Sequence, residues 1–314
     1  MRTRVTRLAR TAKVIGATGL VGLTATGCSV DEVLRFGWPT GITPQAERMR
    51  ELWTWSTVAA LVVGVLMWGL MLWPVVFHRK KSDELPRQTQ YNLPLEVIYT
   101  GIPFVIILVL FYYAVGAQNF IDEQEAEPDV AVEVVGFQWN WEFRYPDERT
   151  SDGEVVSTVG SSEVIPLLVL PTERVIEYRI SAKDVLHSFF VPEFLFKRDM
   201  FPRPEKNNTD NVFQNTIDRP GAFVGRCAEL CGTYHAMMNF EVRALEPDLY
   251  DRYIELRRTT NPATAVPYTA GEALAELDCG ELCTPTAITT RPFDTRRDAN
   301  TFTGGSAGAA GGGN

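Results

Sequence analysis

Four side chains in one short stretch carry the chemistry of this chain. The segment RPGAFVGRCAELCGTYHAMMNFEV (219–242) places Cys227, Cys231, His235 and Met238 in the pattern C-x3-C-x3-H-x2-M. Two thiolates, an imidazole and a thioether are soft donors, and soft sulfur with nitrogen selects copper or zinc over hard cations. The thioether favours copper, being a weak ligand with little use at a structural zinc. A mononuclear blue copper site takes one Cys, two His and a weak Met. Here there are two cysteines. Two thiolates can bridge two coppers, and each metal then still needs one nitrogen. His235 supplies one, so a second histidine is required.

The sources are few. The chain has three histidines, His78, His187 and His235. His78 ends an apolar run beside a basic cluster, which puts it on the cytoplasmic side of a membrane. His187, in SAKDVLHSFFVPEF, follows a strand-like run and is the candidate left. Two other readings stay open at this point. The cysteines could form a disulfide, as exported cysteines do, which leaves His235 and Met238 unexplained. A zinc site could use both Cys and both His, which leaves Met238 idle.

The elements that must position these residues fall into blocks. Residues 1–27 pair an acid-free basic start (Arg2, Arg4, Arg7, Arg10, Lys13) with a short Gly/Thr-rich apolar run, the form of a secretory signal. Ala25, Thr26 and Gly27 precede Cys28, which resembles a lipobox with a lipidated Cys28; an ordinary signal with an incidental cysteine is the alternative. Residues 28–50 are an exported segment. Within 51–121, Leu52–His78 and Val97–Ile121 contain no Asp, Glu, Lys or Arg. About 25 helical residues reach about 38 Å, enough to cross a hydrocarbon core of about 30 Å. The loop between them, HRKKSDELPR, carries Arg79, Lys80, Lys81 and Arg87 and is expected to be cytoplasmic. A hairpin with both ends outside follows, with Trp53, Trp55 and Trp73 near the interfaces. Glu96 stands where the second span begins, and its position alone favours an interfacial role.

Residues 122–258 change character. VAVEVVGFQWNWEFRY (130–145), EVIPLLVLP (163–171) and RVIEYRISA (174–182) are rich in Val, Ile and aromatics, several such runs alternate apolar and polar positions, and turn-rich PDERTSDGE and FPRPEKNNTDN break them. The reading is an all-β sandwich or barrel outside the cytoplasm. Residues 119–250 hold 24 acidic against 12 basic side chains, a surface that suits a basic protein partner. With a net charge of −9 for the 314-residue chain, nothing offers phosphates a basic face, so a nucleic-acid partner is excluded. PDLYDRYIELRR (247–258) reads as a short amphipathic helix with Leu249, Tyr253, Ile254 and Leu256 partly buried. The remainder, 259–314, is an extension in which DCGELC suggests a Cys279–Cys283 disulfide and TGGSAGAAGGGN a disordered end.

The sequence resembles subunit II of the haem–copper cytochrome c oxidases over about residues 50–250. RPGAFVGRCAELCGTYHAMM resembles the family's copper loop, DVLHSFFVP its first-histidine segment and GFQWNWEFRY its aromatic segment, in order and after a helix hairpin. The resemblance implies a cupredoxin-like domain with a dinuclear CuA centre. Cys227 and Cys231 would bridge, His187 and His235 would give nitrogen, Met238 a weak thioether, and Glu229 its backbone carbonyl. The Glu229 carboxylate would reach a magnesium shared with subunit I. Trp139 matches the point at which electrons enter from a c-type cytochrome, Asp184 an acid near the docking surface, and Glu96 a glutamate at the mouth of a proton channel. Asn140 stands where an aromatic is usual, and Lys183 where an acid is common. Oxidase subunits I and III and the lipid bilayer are the implied neighbours. The cytochrome would be either free or held in a respiratory supercomplex. The implied function is the electron-accepting, non-catalytic subunit of a proton-translocating oxidase in the plasma membrane. No C-x-x-C-H occurs, so no c-type haem is fused to this chain. The competing readings are a membrane-anchored copper-assembly protein and a copper-free subunit of quinol-oxidase type.

Overall fold

The computed structural model describes residues 29–80, 82–85, 88–207 and 211–290. The expected signal peptide, Cys28 and the Gly-rich end at 303–314 lie outside the described residues. The chain forms two compact units.

The first unit holds described residues 29–39 and 50–113. Its elements belong to helices α1 (Val30–Leu34), α2 (Pro44–Phe77) and α3 (Leu93–Ile121). Helices α2 and α3 have 34 and 29 residues and are apolar on every side of their central stretches. A helix that is apolar all round and exposed all round has lipid as its solvent, and these two are the membrane-spanning helices among the described residues. Both begin before the uncharged runs do. In α2, residues such as Glu47 and Glu51 add polar turns ahead of Leu52. In α3, Glu96 accepts the Asn92 backbone N–H at 3.0 Å, while the Asn92 side chain accepts Leu95 N–H at 3.4 Å. These bonds satisfy donors that a helix start leaves open.

The second unit holds 40–49 and described residues from 114 onward. Its strands are β1 (Val130–Phe137), β2 (Asn140–Arg149), β3 (Val155–Val159), β4 (Leu167–Pro171), β5 (Val175–Ala182), β6 (His187–Val191), β7 (Phe196–Met200), β8 (Val212–Thr216), β9 (Gly221–Cys227) and β10 (Asn239–Leu245). They form two five-stranded sheets, ordered β3-β2-β1-β5-β8 and β4-β10-β9-β6-β7. The β1–β5 and β10–β4 pairs are parallel and the others antiparallel. This is a cupredoxin-like sandwich. Period-two alternation sets its inner faces: in β5, Ile176, Tyr178 and Ile180 are buried while Glu177 and Arg179 pair outside. The core is aromatic. Trp141 meets Phe240 edge-on at 4.9 Å, Phe240 stacks on Phe189 at 5.0 Å, and Tyr178 stacks on Phe213 at 4.5 Å.

Three further helices follow: α4 (Pro204–Asn207), α5 (Pro247–Arg257) and α6 (Ala270–Glu276). Helix α5 buries Tyr250, Tyr253, Ile254 and Arg257, leaving Leu249 and Leu256 only partly covered. The four expected positions are thus covered, Leu249 and Leu256 in part, and Tyr250 and Arg257 are buried beside them. Arg257 is buried because its guanidinium donates to Tyr253 Oη at 2.8 Å and Ser157 O at 2.6 Å.

The extension is a folded part of this unit up to residue 290. Helix α6 starts on a Thr269/Glu272 capping box and buries Ala273 and Leu274. Cys279 and Cys283 are joined by a disulfide. What holds the following irregular stretch is an ion pair on β10. Glu241 and Arg243 are both fully buried and 2.5 Å apart. Arg243 donates to the carbonyls of Leu282 (2.5 Å) and Thr286 (2.7 Å), and Glu241 accepts Ile288 N–H (2.9 Å) and Thr289 N–H (2.6 Å). Removing one member leaves a buried uncompensated charge, which costs about 3–5 kcal/mol. Arg243→Met is therefore expected to lower the unfolding free energy, read by urea denaturation of the full chain, by that order and to make residues 280–290 protease-sensitive. Unchanged proteolysis of that segment would show that other contacts hold it.

Candidate metal centre

Two strand ends and one hairpin loop build the site. His187 opens β6 and Cys227 closes β9, so both project from the same end of the second sheet. The loop from Cys227 to Met238 is tied down by backbone bonds. Ala228 N–H donates to Ser188 O at 3.1 Å and Cys227 N–H to Met238 O at 3.0 Å. A single 3-10 turn, His235–Met237, brings His235 back over the cysteines and leaves Met238 beneath them.

The donors converge. Cys227 Sγ lies 3.7 Å from Cys231 Sγ and 3.8 Å from His187 Nδ1. Cys231 Sγ lies 3.6 Å from His235 Nδ1 and 3.9 Å from Met238 Sδ. The Glu229 backbone oxygen is 3.2 Å from Cys227 Sγ. His187, Cys227 and Cys231 hold their ligand atoms within 4.8 Å of one another, all buried. The two cysteines are not bonded to each other, since a disulfide needs about 2.05 Å. The thioether also points inward, at a residue 1% exposed. These residues fit a soft metal centre with sulfur at its middle and one imidazole on each side.

The surroundings fix the donors. Asp184 accepts from Gln138 N–H and Val185 N–H, each at 2.7 Å, and faces His187 Nε2 at 2.9 Å. The ring is thus held with Nδ1 toward sulfur, as a carboxylate beside a ligand histidine does. Gly136 of β1 is needed for this: a Cβ there would stand 3.2 Å from the His187 ring. Burial opposes charge on His187, but its hydrogen bonds with Cys227 and Asp184 outweigh that and keep its pKa above the ordinary value. The two sulfurs share one proton. Their hydrogen bond, opposed by burial and helped by His187, brings Cys227 down to about 3, while the same bond and burial push Cys231 far upward.

The other sequence-predicted residues fall in different places. Trp139 is half-buried, donates to Cys231 O at 3.2 Å and packs edge-on against Tyr234 at 4.9 Å. The Glu229 carboxylate lies 3.6 Å from Lys197 Nζ on the loop's outer side. Asn140, at the start of β2, donates to Ser161 O at 2.9 Å and so ties down the β3–β4 connection. Lys183 is paired with Glu142 at 2.5 Å and lies over the Phe137 ring. Glu96 belongs to the first unit. Gln138 escaped the sequence reading. Its side chain donates to Cys231 O at 2.7 Å beside Trp139, and only its position next to that tryptophan marked it.

Glu142 gives a pH signature. Burial raises its pKa, but hydrogen bonds from Arg144 (2.6 Å) and Lys183 outweigh it, so the net shift is downward. The unfolded chain then takes up this proton first as pH falls. The stabilisation is present above the ordinary carboxylate range of about 4.5 and is lost as pH drops through the folded value. Glu142→Gln is expected to lower stability at neutral pH and to flatten its fall between about pH 5 and 3. Identical acid limbs in variant and parent denaturation curves would exclude the assignment.

Comparison with known proteins gives the class. Residues 130–245 match the family described as cytochrome c oxidase subunit II, periplasmic domain. A probable cytochrome c oxidase subunit 2 of Nocardia farcinica is 48% identical, covering 95% of this chain and 91% of its own. The cytochrome c oxidase subunit 2 of Mycobacterium bovis is 42% identical, covering 89% and 87%. The periplasmic domain of subunit II of the Bradyrhizobium japonicum cytochrome oxidase aligns at 26% identity and a TM-score of 0.36, covering 42% of this chain and 95% of that one. The chain belongs to the cytochrome c oxidase subunit II family. It is thus a membrane-bound subunit of cytochrome c oxidase, an oxidoreductase complex.

Proposed function

We propose that this chain accepts electrons from a c-type cytochrome at a dinuclear copper centre and passes them to the haem of subunit I, where oxygen is reduced and protons are translocated. The observation that carries this is the set of five side-chain donors around two unbonded sulfurs, each sulfur with its own imidazole within 3.8 Å. Cys227 and Cys231 would bridge the metals, with His187, His235, Met238 and the Glu229 carbonyl completing the shell. When bound, the copper pair supplies one-electron exchange with its charge spread over both metals.

The protein's own part is to hold and to insulate. Asp184 fixes the His187 ring, and the loop bonds to Ser188 and Met238 fix the spacing of the sulfurs. Burial of His187, both cysteines and Met238 excludes water, so little has to move when charge changes. A closed shell of this kind leaves no open position for a substrate, which suits an electron carrier rather than a bond-making site. Trp139, touching the backbone of Cys231 and half-exposed, is where electrons would enter. The acidic domain would attract a basic cytochrome.

Further parts of the reading follow the family pattern. The Glu229 carboxylate would bind a magnesium shared with subunit I, and Glu96 would stand at the mouth of a proton channel. Cys28 would carry lipid after removal of residues 1–27. Residues 28–50, the hairpin 51–121, the copper domain 122–258 and the extension 259–314 would then be the segments of the mature chain. The copper domain and both termini would lie outside the plasma membrane, with subunits I and III as neighbours.

Metal analysis is the direct test. The full chain loaded with copper is expected to hold two coppers and to give a seven-line EPR pattern. Cys227→Ser is expected to abolish that pattern and cut oxygen consumption of the assembled oxidase at least a hundredfold, with the β-sheet circular dichroism unchanged. One copper with a four-line pattern would overturn the dinuclear reading. No copper at all would favour a subunit of quinol-oxidase type.

A further inference from the structure

Helix α1 has an apolar face that no other described residue covers. Val30, Val33 and Leu34 are 75%, 40% and 37% exposed, and their i, i+3, i+4 spacing puts them on one side of the helix. Its other side is polar and internally neutralised. Asp31 pairs with Arg35 and Arg50, each at 3.4 Å, and Glu32 lies 3.9 Å from Arg35. Ser29 caps the start, accepting from Glu32 N–H while the Glu32 carboxylate accepts Ser29 N–H.

The position of this helix is fixed by the start of the first span. Trp53 Nε1 donates to Arg35 O at 3.1 Å and Thr54 Oγ1 to Leu34 O at 3.0 Å. Trp38 stacks on Trp53 with ring centroids 4.9 Å apart and planes within 8°. The turn that allows this has Phe36 and Gly37 both at positive φ. So the C-terminal end of α1 is hydrogen-bonded to the residues at which α2 becomes apolar. Trp55, 70% exposed, stands at the same level. Tryptophans at this place in a spanning helix mark the headgroup region.

We propose that α1 is an interfacial helix that rests in the headgroup layer of the lipid bilayer, with Val30, Val33 and Leu34 turned toward the acyl chains. Two arguments commit the face to lipid. The end of α1 is hydrogen-bonded to Trp53 and Thr54, where the exposed apolar run of α2 begins, so the face stands at the edge of the lipid-facing surface. Three side chains on a five-residue helix offer far less than the roughly 800 Å² per partner that a stable protein interface buries. The inference concerns the first unit only and stands whether or not the copper reading holds.

Photo-crosslinking in the assembled oxidase in its own membrane tests it. Benzoylphenylalanine placed at Val33 is expected to yield phospholipid adducts by mass spectrometry, and the same group at Glu32 at least fivefold fewer. Adducts of the Val33 probe with another polypeptide, or equal lipid yields from both positions, would overturn the proposal. A second measurement guards against misfolding. In the full chain in phosphatidylglycerol-containing nanodiscs, the Val30→Asp, Val33→Asp double variant is expected to exchange the amide hydrogens of residues 31–36 at least tenfold faster. Unchanged exchange there would also count against lipid contact.

Discussion

The structure depends on keeping two sulfur atoms close without letting them bond. A spacing of 3.7 Å between Cys227 and Cys231 is direct contact of the two sulfurs and far longer than a covalent link. It is set by backbone, not by the side chains themselves. The loop leaves β9 at Cys227, is anchored to β6 through Ser188, and returns to β10 at Met238. Because both anchors are hydrogen bonds between strands of one sheet, the site inherits the stiffness of the sandwich. Beneath it, Trp141 donates to Met238 O and packs on Phe240, so the aromatic core and the ligand loop are one packed body. The first sheet contributes from the opposite side: β1 delivers Gly136 against His187 and leads into Gln138 and Trp139, which both donate to Cys231 O.

Much of this was legible in the residues. C-x3-C-x3-H-x2-M determined the donor types, and counting histidines assigned His187, because ligand chemistry limits the choice more strongly than any fold argument does. The alternation in 174–182 located β5 well, since one face of that strand is wet. EVIPLLVLP was harder. Only Leu167–Pro171 is strand, and all five residues are buried, so no alternation marks its limits. The rest was hidden because it depends on pairing across long sequence separations. Nothing local to Asp184 says that it will meet Gln138 N–H forty-six positions earlier. The burial of Arg257 on α5 was hidden for a similar reason: a buried arginine is unfavourable until the carbonyl of Ser157 is known to face it.

The folded extension shows the same dependence. Glu241 and Arg243 are two positions apart on β10, so both point away from the core. In an isolated sandwich they would be an exposed pair of small worth. Covered by residues 282–289, they become a buried pair whose remaining hydrogen-bonding capacity is taken up by backbone. The polar residues of the strand and the backbone of the extension thus complete each other. A stretch with little regular structure becomes part of the domain.

The placement of α5 and α6 against β4 has a bearing on how such a chain survives synthesis. β4 is the outermost strand of its sheet, and it is apolar from Leu167 to Pro171. Left bare, an edge of that composition is a template for pairing with a neighbouring molecule. Here the residues C-terminal to the sandwich fold back as a cover, so the sticky margin is sealed by the same polypeptide that creates it. Since those residues are made after the strands of the sandwich, the margin stays open until they emerge, and that interval is when the chain is most prone to self-association.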